Sequence, residues 1–139
     1  MSRINMRRVI LGGIAAGVVI NVGESILNLV VLGADMEAAM ARLNLPPIGG
    51  QAIGVFVFMG FVVGILTTWL YAAIRPRFGP GPKTAMCAGA IAWFFAYFYS
   101  GLGMVVMGMF TARLMTIAVA WGLVEILVAA AVGAALYKE

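Results

Sequence analysis

Two glutamates, Glu24 and Glu125, stand inside long apolar runs of this chain. A charged side chain at the centre of a membrane helix costs at least about 2.5–3.5 kcal/mol on insertion scales, so such acids are expected to face a protein interior. Glu24 lies slightly past the middle of the first run and Glu125 close to the middle of the last. If the first run crosses outward and the last returns, a rise of about 1.5 Å per residue puts the two within roughly one helical turn of depth. No basic residue occurs at that depth. The pair must therefore be neutral, share a proton or meet a ligand cation, and two interacting carboxyls titrate as a unit. Asn21, Asn28 and Tyr97 are the candidate hydrogen-bond partners. The competing expectation is plain packing: a protonated glutamate bonded to an asparagine across a helix contact, or a contact with another subunit.

The neighbours of both acids repeat at helical spacing. Gly13, Gly17, Asn21, Glu24 and Asn28 form one stripe of a helix, and Ala118, Gly122, Glu125, Ala129 and Gly133 form another. Small residues let a second backbone approach closely, and polar ones bond across the contact. These two seams are expected to meet. Gly60, Gly64 and Thr68, and Ala88, Ala92, Ala96 and Ser100, repeat in the same way on the other two runs.

Four such runs account for most of the chain. They are expected over about 9–33, 51–74, 84–107 and 111–137, giving one transmembrane domain over 1–139 and an all-α, antiparallel four-helix membrane bundle. Of the 139 residues 64% are hydrophobic and 10% charged; soluble domains are about 25% charged, so much apolar surface must face lipid. The first run follows Arg3, Arg7 and Arg8, as a signal peptide would, but it is too long and too polar at Asn21, Glu24 and Asn28, and is expected to be retained. Residues 34–50 suit a short amphipathic helix at the membrane surface, stopped by Pro46, Pro47, Gly49 and Gly50. Residues 75–83, with three prolines and two glycines, should form a compact basic turn that ends the second helix.

Charge placement then orients the chain. Arg3, Arg7, Arg8, Arg75, Arg77, Lys83 and Lys138 fall on one side, and Arg42 and Arg113 on the other. Cytoplasmic loops are enriched in Lys and Arg, so both termini are expected in the cytoplasm. This placement also explains the net charge of +4 without nucleic acid.

Several chemistries are excluded. There is no histidine, hence no His-ligated zinc, bis-histidine haem or His general base, and Cys87 is alone. No metal or other cofactor is expected, and the ten methionines suit gap-filling better than copper ligation. No nucleophile stands with a recognisable base, so catalysis is not expected. Gly79-Pro80-Gly81 lacks the Lys-Ser/Thr ending of a phosphate-binding loop. Arg75, Arg77 and Lys83 are candidates for lipid headgroups, with topology determination as the plainer role. The aromatic run Trp93, Phe94, Phe95, Tyr97, Phe98 and Tyr99 covers most of a helix circumference, so some rings should fill the bundle and others face outward.

The stretch from Trp69 to Ala85, with Trp121-Gly122-Leu123-Val124-Glu125 and the closing Leu136-Tyr137-Lys138-Glu139, resembles a family of small uncharacterised bacterial four-helix inner-membrane proteins. That resemblance implies a bacterial inner-membrane location and no activity. In layout the chain is also similar to small multidrug resistance exporters, with Glu24 at the place of their first-helix acid. The second acid, the long 34–50 segment and the charge bias depart from them, so their function is not carried over. Fluoride channels share the length only. The expected function is a small transporter or channel-like protein with a midplane proton or cation site. The alternative is a non-catalytic accessory or assembly subunit of a larger membrane complex. Membrane lipid and a homo-oligomer or larger complex are the expected partners.

Overall fold

The computed structural model describes residues 3–139, and these are all-helical, with no strand among them. Five helices follow one another: α1, Met6–Val31; α2, Gly33–Arg42; α3, Gly50–Phe78; α4, Pro82–Val106; and α5, Ala112–Leu136. Each expected apolar run becomes one long helix. All but α2 are long and apolar enough to cross a membrane.

Local chemistry sets most of the boundaries. The Asn5 side chain accepts the Arg8 N–H at 3.2 Å and caps α1, and the Thr111 side chain does the same for Leu114 at 3.3 Å at the head of α5. The 34–50 segment forms α2, which starts at once after Leu32. Its end comes earlier than the prolines: Asn44 takes a left-handed φ of 54°, which asparagine tolerates better than most residues.

The basic turn departs from expectation. Pro76 does not stop α3, which runs on to Phe78. So near the helix end a proline forfeits one ladder bond, and the last turn is still closed by Gly79 N–H to the Arg75 carbonyl at 2.8 Å. The true stops are Gly79 and Gly81, with φ of 81° and 130°, and Pro82 opens α4 at a position where its missing N–H is harmless.

Helix α1 packs chiefly on α3 and secondarily on α5, while α4 rests on α5 and α3. The glycine seams pair differently from the expectation. Gly13 and Gly17 face α3, not the α5 stripe: a β-carbon on Gly64 would lie 2.5 Å from Gly17 N and 2.6 Å from Gly13 O. The α5 contact uses the adjacent face of α1, where a β-carbon on Gly12 would lie 2.6 Å from Gly133 O. On α4 the buried small residues are Ala85, Ala88, Gly89 and Gly101, whereas Ala96 and Ser100 are exposed.

The buried apolar residues form three layers. Val9, Tyr71, Ala72, Ala85, Ala88 and Tyr137 make the first, Ala16, Ile20, Ile126 and Ala129 the second, and Leu27, Leu32, Ala39 and Leu114 the third. Beyond the first layer, Asn5 N–H meets the Tyr137 hydroxyl at 3.3 Å and Gly81 N–H meets the Tyr71 hydroxyl at 3.2 Å. Beyond the third, Arg42 donates to the Met109 carbonyl at 2.8 Å and Arg113 lies 3.7 Å from Asp35.

Candidate functional site

Between the second and third layers the packing turns polar. Glu125, on α5, is only 6% exposed. Its Oε1 accepts the Tyr97 hydroxyl of α4 at 2.7 Å, and its Oε2 is buried with no hydrogen-bond partner. That oxygen sits over Gly23 of α1, in the space a β-carbon there would occupy. Glu24, half-buried on α1, lies beside both Glu125 and Tyr97. Its Oε2 accepts Asn28 Nδ2–H at 2.9 Å, and Asn28 also donates to the Glu24 carbonyl at 2.8 Å. No lysine or arginine pairs with either acid among the described residues. Each carboxyl thus has one neutral donor and a second acid for a neighbour.

The backbone is adapted at this level. Leu27–Val31 of α1 and Phe94–Tyr99 of α4 are π-helical, each accommodating an extra residue in its turn. Such wide turns are frequent at functional sites. Here one contains Asn28 and the other Tyr97, the two side-chain donors to the carboxyls.

Four of the five expected site residues therefore come together: Glu24, Glu125, Asn28 and Tyr97. Asn21 does not join them. Its Nδ2 donates to the Gly17 carbonyl at 2.9 Å and across to the Val57 carbonyl of α3 at 3.2 Å, on the face where it covers Gly60. Asn21→Ala is expected to lower stability by about 0.5–1.5 kcal/mol, the net worth of a neutral hydrogen bond. Thermal denaturation in detergent reads that loss, and any proton flux the protein supports should be unchanged.

Two contributors were missed in the sequence. Gly23 makes room for the Glu125 carboxyl, and Trp121 donates its indole N–H to the Gly23 carbonyl at 3.2 Å. The signal for them in the sequence is a second small-residue stripe on α1, Gly12, Ala16 and Gly23, one residue out of phase with Gly13, Gly17 and Glu24.

The aromatic run divides as its circumference requires. Trp93 donates its indole N–H to the Val119 carbonyl at 2.8 Å, while Phe94 and Phe98 stack at 5.5 Å and Phe95 and Tyr99 point outward.

No protein-family model, curated protein or solved structure matches this chain. The likeness to a bacterial membrane family thus rests on the quoted segments alone.

Among the headgroup candidates, Arg77 and Lys83 are exposed. Arg75 is drawn inward instead. Its Nη1 comes within 3.0 Å of Glu139 Oε1, an ion contact without hydrogen-bond alignment, and its guanidinium lies 5.6 Å from the centre of the Tyr137 ring.

Proposed function

We propose that the protein is a small transporter or channel-like protein whose Glu24–Glu125 pair binds and releases a proton or monovalent cation at the bilayer midplane. In this reading the four long helices cross a bacterial inner membrane antiparallel to one another, with both termini in the cytoplasm. The seven basic residues counted for that side then flank the cytoplasmic ends.

The observation that carries the reading is the absence of a counter-charge. Glu24 and Glu125 lie side by side with only neutral donors, Asn28 and Tyr97, so removing the proton leaves a negative site that no described residue neutralises. A buried charge persists only when paired, so the pair must hold a proton or a cation from outside. The groups facing it are Glu24 from α1, Tyr97 from α4 and Trp121 beside Glu125 on α5; α3 has no ionisable side chain from Gly50 to Leu70.

Access supports this. A groove of about 150 Å³ between α4 and α5 is lined by Tyr97, Ser100, Gly101 and Met115, and the Tyr97 hydroxyl donates from there to Glu125. A proton that reaches Glu125 can be handed on to Glu24 beside it.

Vesicles reconstituted with the protein should dissipate an imposed pH step faster than protein-free vesicles, with a counter-ion path supplied by valinomycin and potassium. Equal rates for the pH step and for an imposed sodium gradient, with the protein shown to be folded and inserted, would rule the reading out.

The accessory-subunit reading has one observation in its favour. Helix α4 is the least buried of the four long helices and turns Phe95 and Tyr99 outward. That reading requires a partner to co-purify and to be lost when both rings become alanine.

A further inference from the structure

Helix α1 carries one polar face. Asn21, Glu24, Ser25 and Asn28 are the only polar side chains from Val9 to Val31, and their spacing puts them on one side of the helix. None of the four is fully buried, and Ser25 is exposed. The face has a direction. Asn21 donates to the Val57 carbonyl of α3 at 3.2 Å, and Glu24 lies beside Tyr97 of α4. It therefore points at the space between α3 and α4.

Those two helices part at this level. They meet at the first layer through Tyr71, Ala72, Ala85 and Ala88, but the third layer contains no residue of either. From Gly50 to Met59 every residue of α3 except Ala52 is exposed, and from Phe94 to Val106 of α4 only Gly101 is buried. A β-carbon added at Gly54 or Gly103 would meet nothing within 4 Å. The half of the bundle toward α2 is thus open between α3 and α4, with the polar face of α1 as its back wall. The path along that wall is short. Asn28 is in the last turn of α1, which ends at Val31, and Glu24 is one turn deeper, about 6 Å along the axis.

The wall selects what fills the space. Acyl tails would suit α3 and α4 but leave the side-chain oxygens of Asn21 and Asn28 in hydrocarbon, where no described residue donates to them. An unmade hydrogen bond of that kind costs about 1–3 kcal/mol. A partner helix would have to supply a donor at each level. Water supplies donors at every level and needs only about two to four polar partners per molecule, which Asn28, Ser25 and Glu24 offer in succession.

We propose that this face is a water inlet. Water enters between α3 and α4 from the side of the membrane that carries α2, passes Asn28 and Ser25, and exchanges protons with the Glu24 carboxyl. Asn21 ends the inlet where it bonds to α3. This rests on the proposed exchange site and adds a route to it, separate from the Tyr97 groove, and the side of entry.

The test uses the full chain with Cys87→Ala, in membranes sealed in either orientation, and a permanently charged methanethiosulfonate that does not cross lipid. Single cysteines are placed by Ser25→Cys, by Ile26→Cys at nearly the same depth but about 100° around the helix, and by Leu45→Cys to mark the α2 side. Ser25 and Leu45 are exposed and Ile26 is partly so, so none of the changes disturbs a core position. A thiol reacts as its thiolate, which hydrocarbon disfavours. Ser25→Cys is expected to react about tenfold faster than Ile26→Cys or more, and only from the side that labels Leu45→Cys.

Equal rates at positions 25 and 26 would overturn the inlet and give the space to acyl tails. Ser25→Cys labelling that appears only after purification away from the membrane would overturn it in favour of a partner helix. Labelling from the side opposite Leu45→Cys would overturn the assigned entrance. Proton flux with equal labelling sinks this inference alone. Selective Ser25→Cys labelling without flux upholds it while the transport reading fails.

Discussion

Gly64→Leu should leave little folded protein. At this position the nearest neighbours of an added β-carbon are the Gly17 nitrogen and the Gly13 oxygen, at 2.5 and 2.6 Å, and both are backbone. A flexible side chain can step aside; a helix backbone moves only by separating α1 from α3, the most extensive contact in the bundle. Overpacking a well-filled core typically costs about 1–3 kcal/mol and occasionally more, and a clash with two backbone atoms belongs at or above the top of that range. Gly54 lies on the same helix with nothing within 4 Å of an added β-carbon. Gly54→Leu should therefore unfold at the temperature of the unaltered protein or slightly above, since leucine favours a helix over glycine by somewhat under about 1 kcal/mol. Thermal unfolding in one detergent, followed by circular dichroism, compares them directly. Equal stability of the two variants would mean that α1 and α3 do not meet through Gly13, Gly17 and Gly64.

The Glu24→Gln, Glu125→Gln double variant should reduce proton or cation flux to the rate of protein-free vesicles. Glutamine keeps the shape of each side chain and an oxygen that can accept from Asn28 or Tyr97, so the fold has no reason to change. What it removes is the ionisable group, and with it every proton-binding site at this depth except the Tyr97 hydroxyl. Either single variant leaves one acid beside Tyr97, so partial flux is expected, with a pH profile that no longer reflects two coupled groups. A double variant that transports at the original rate, with unchanged unfolding, would reduce the cluster to packing and move attention to the outward face of α4.

Much of this architecture was legible because hydropathy over about 20 residues is a strong signal and lysine and arginine are few. Glu24, Glu125 and Tyr97 stood out because a polar group in an apolar run must find company. The choice of helix faces was less legible for a physical reason. Gly12, Gly13, Ala16 and Gly17 make two adjacent faces of α1 small, and both are used, one by α5 and one by α3. Stripe spacing alone does not distinguish them, so Asn21 was grouped with the acids when it bonds to Val57. The π-helical turns at Leu27–Val31 and Phe94–Tyr99 leave no pattern in residue types, yet they hold Asn28 and Tyr97 at the carboxyls. Pro76 misled in the opposite direction, because a helix tolerates the loss of a single hydrogen bond in its last turns.

The central claim, that the buried acids exchange a proton with their surroundings, is tested most directly by isotope-edited infrared spectroscopy on protein with ¹³C-carboxyl glutamate. A step in pH should change a carboxylic-acid C=O band, and the part assigned to the midplane should vanish in the Glu24→Gln, Glu125→Gln variant while the bands of Glu37 and Glu139 remain. A carboxylic-acid band at the midplane that stays constant at every pH where the protein is folded would contradict the account, since it would mean a proton sealed between helices.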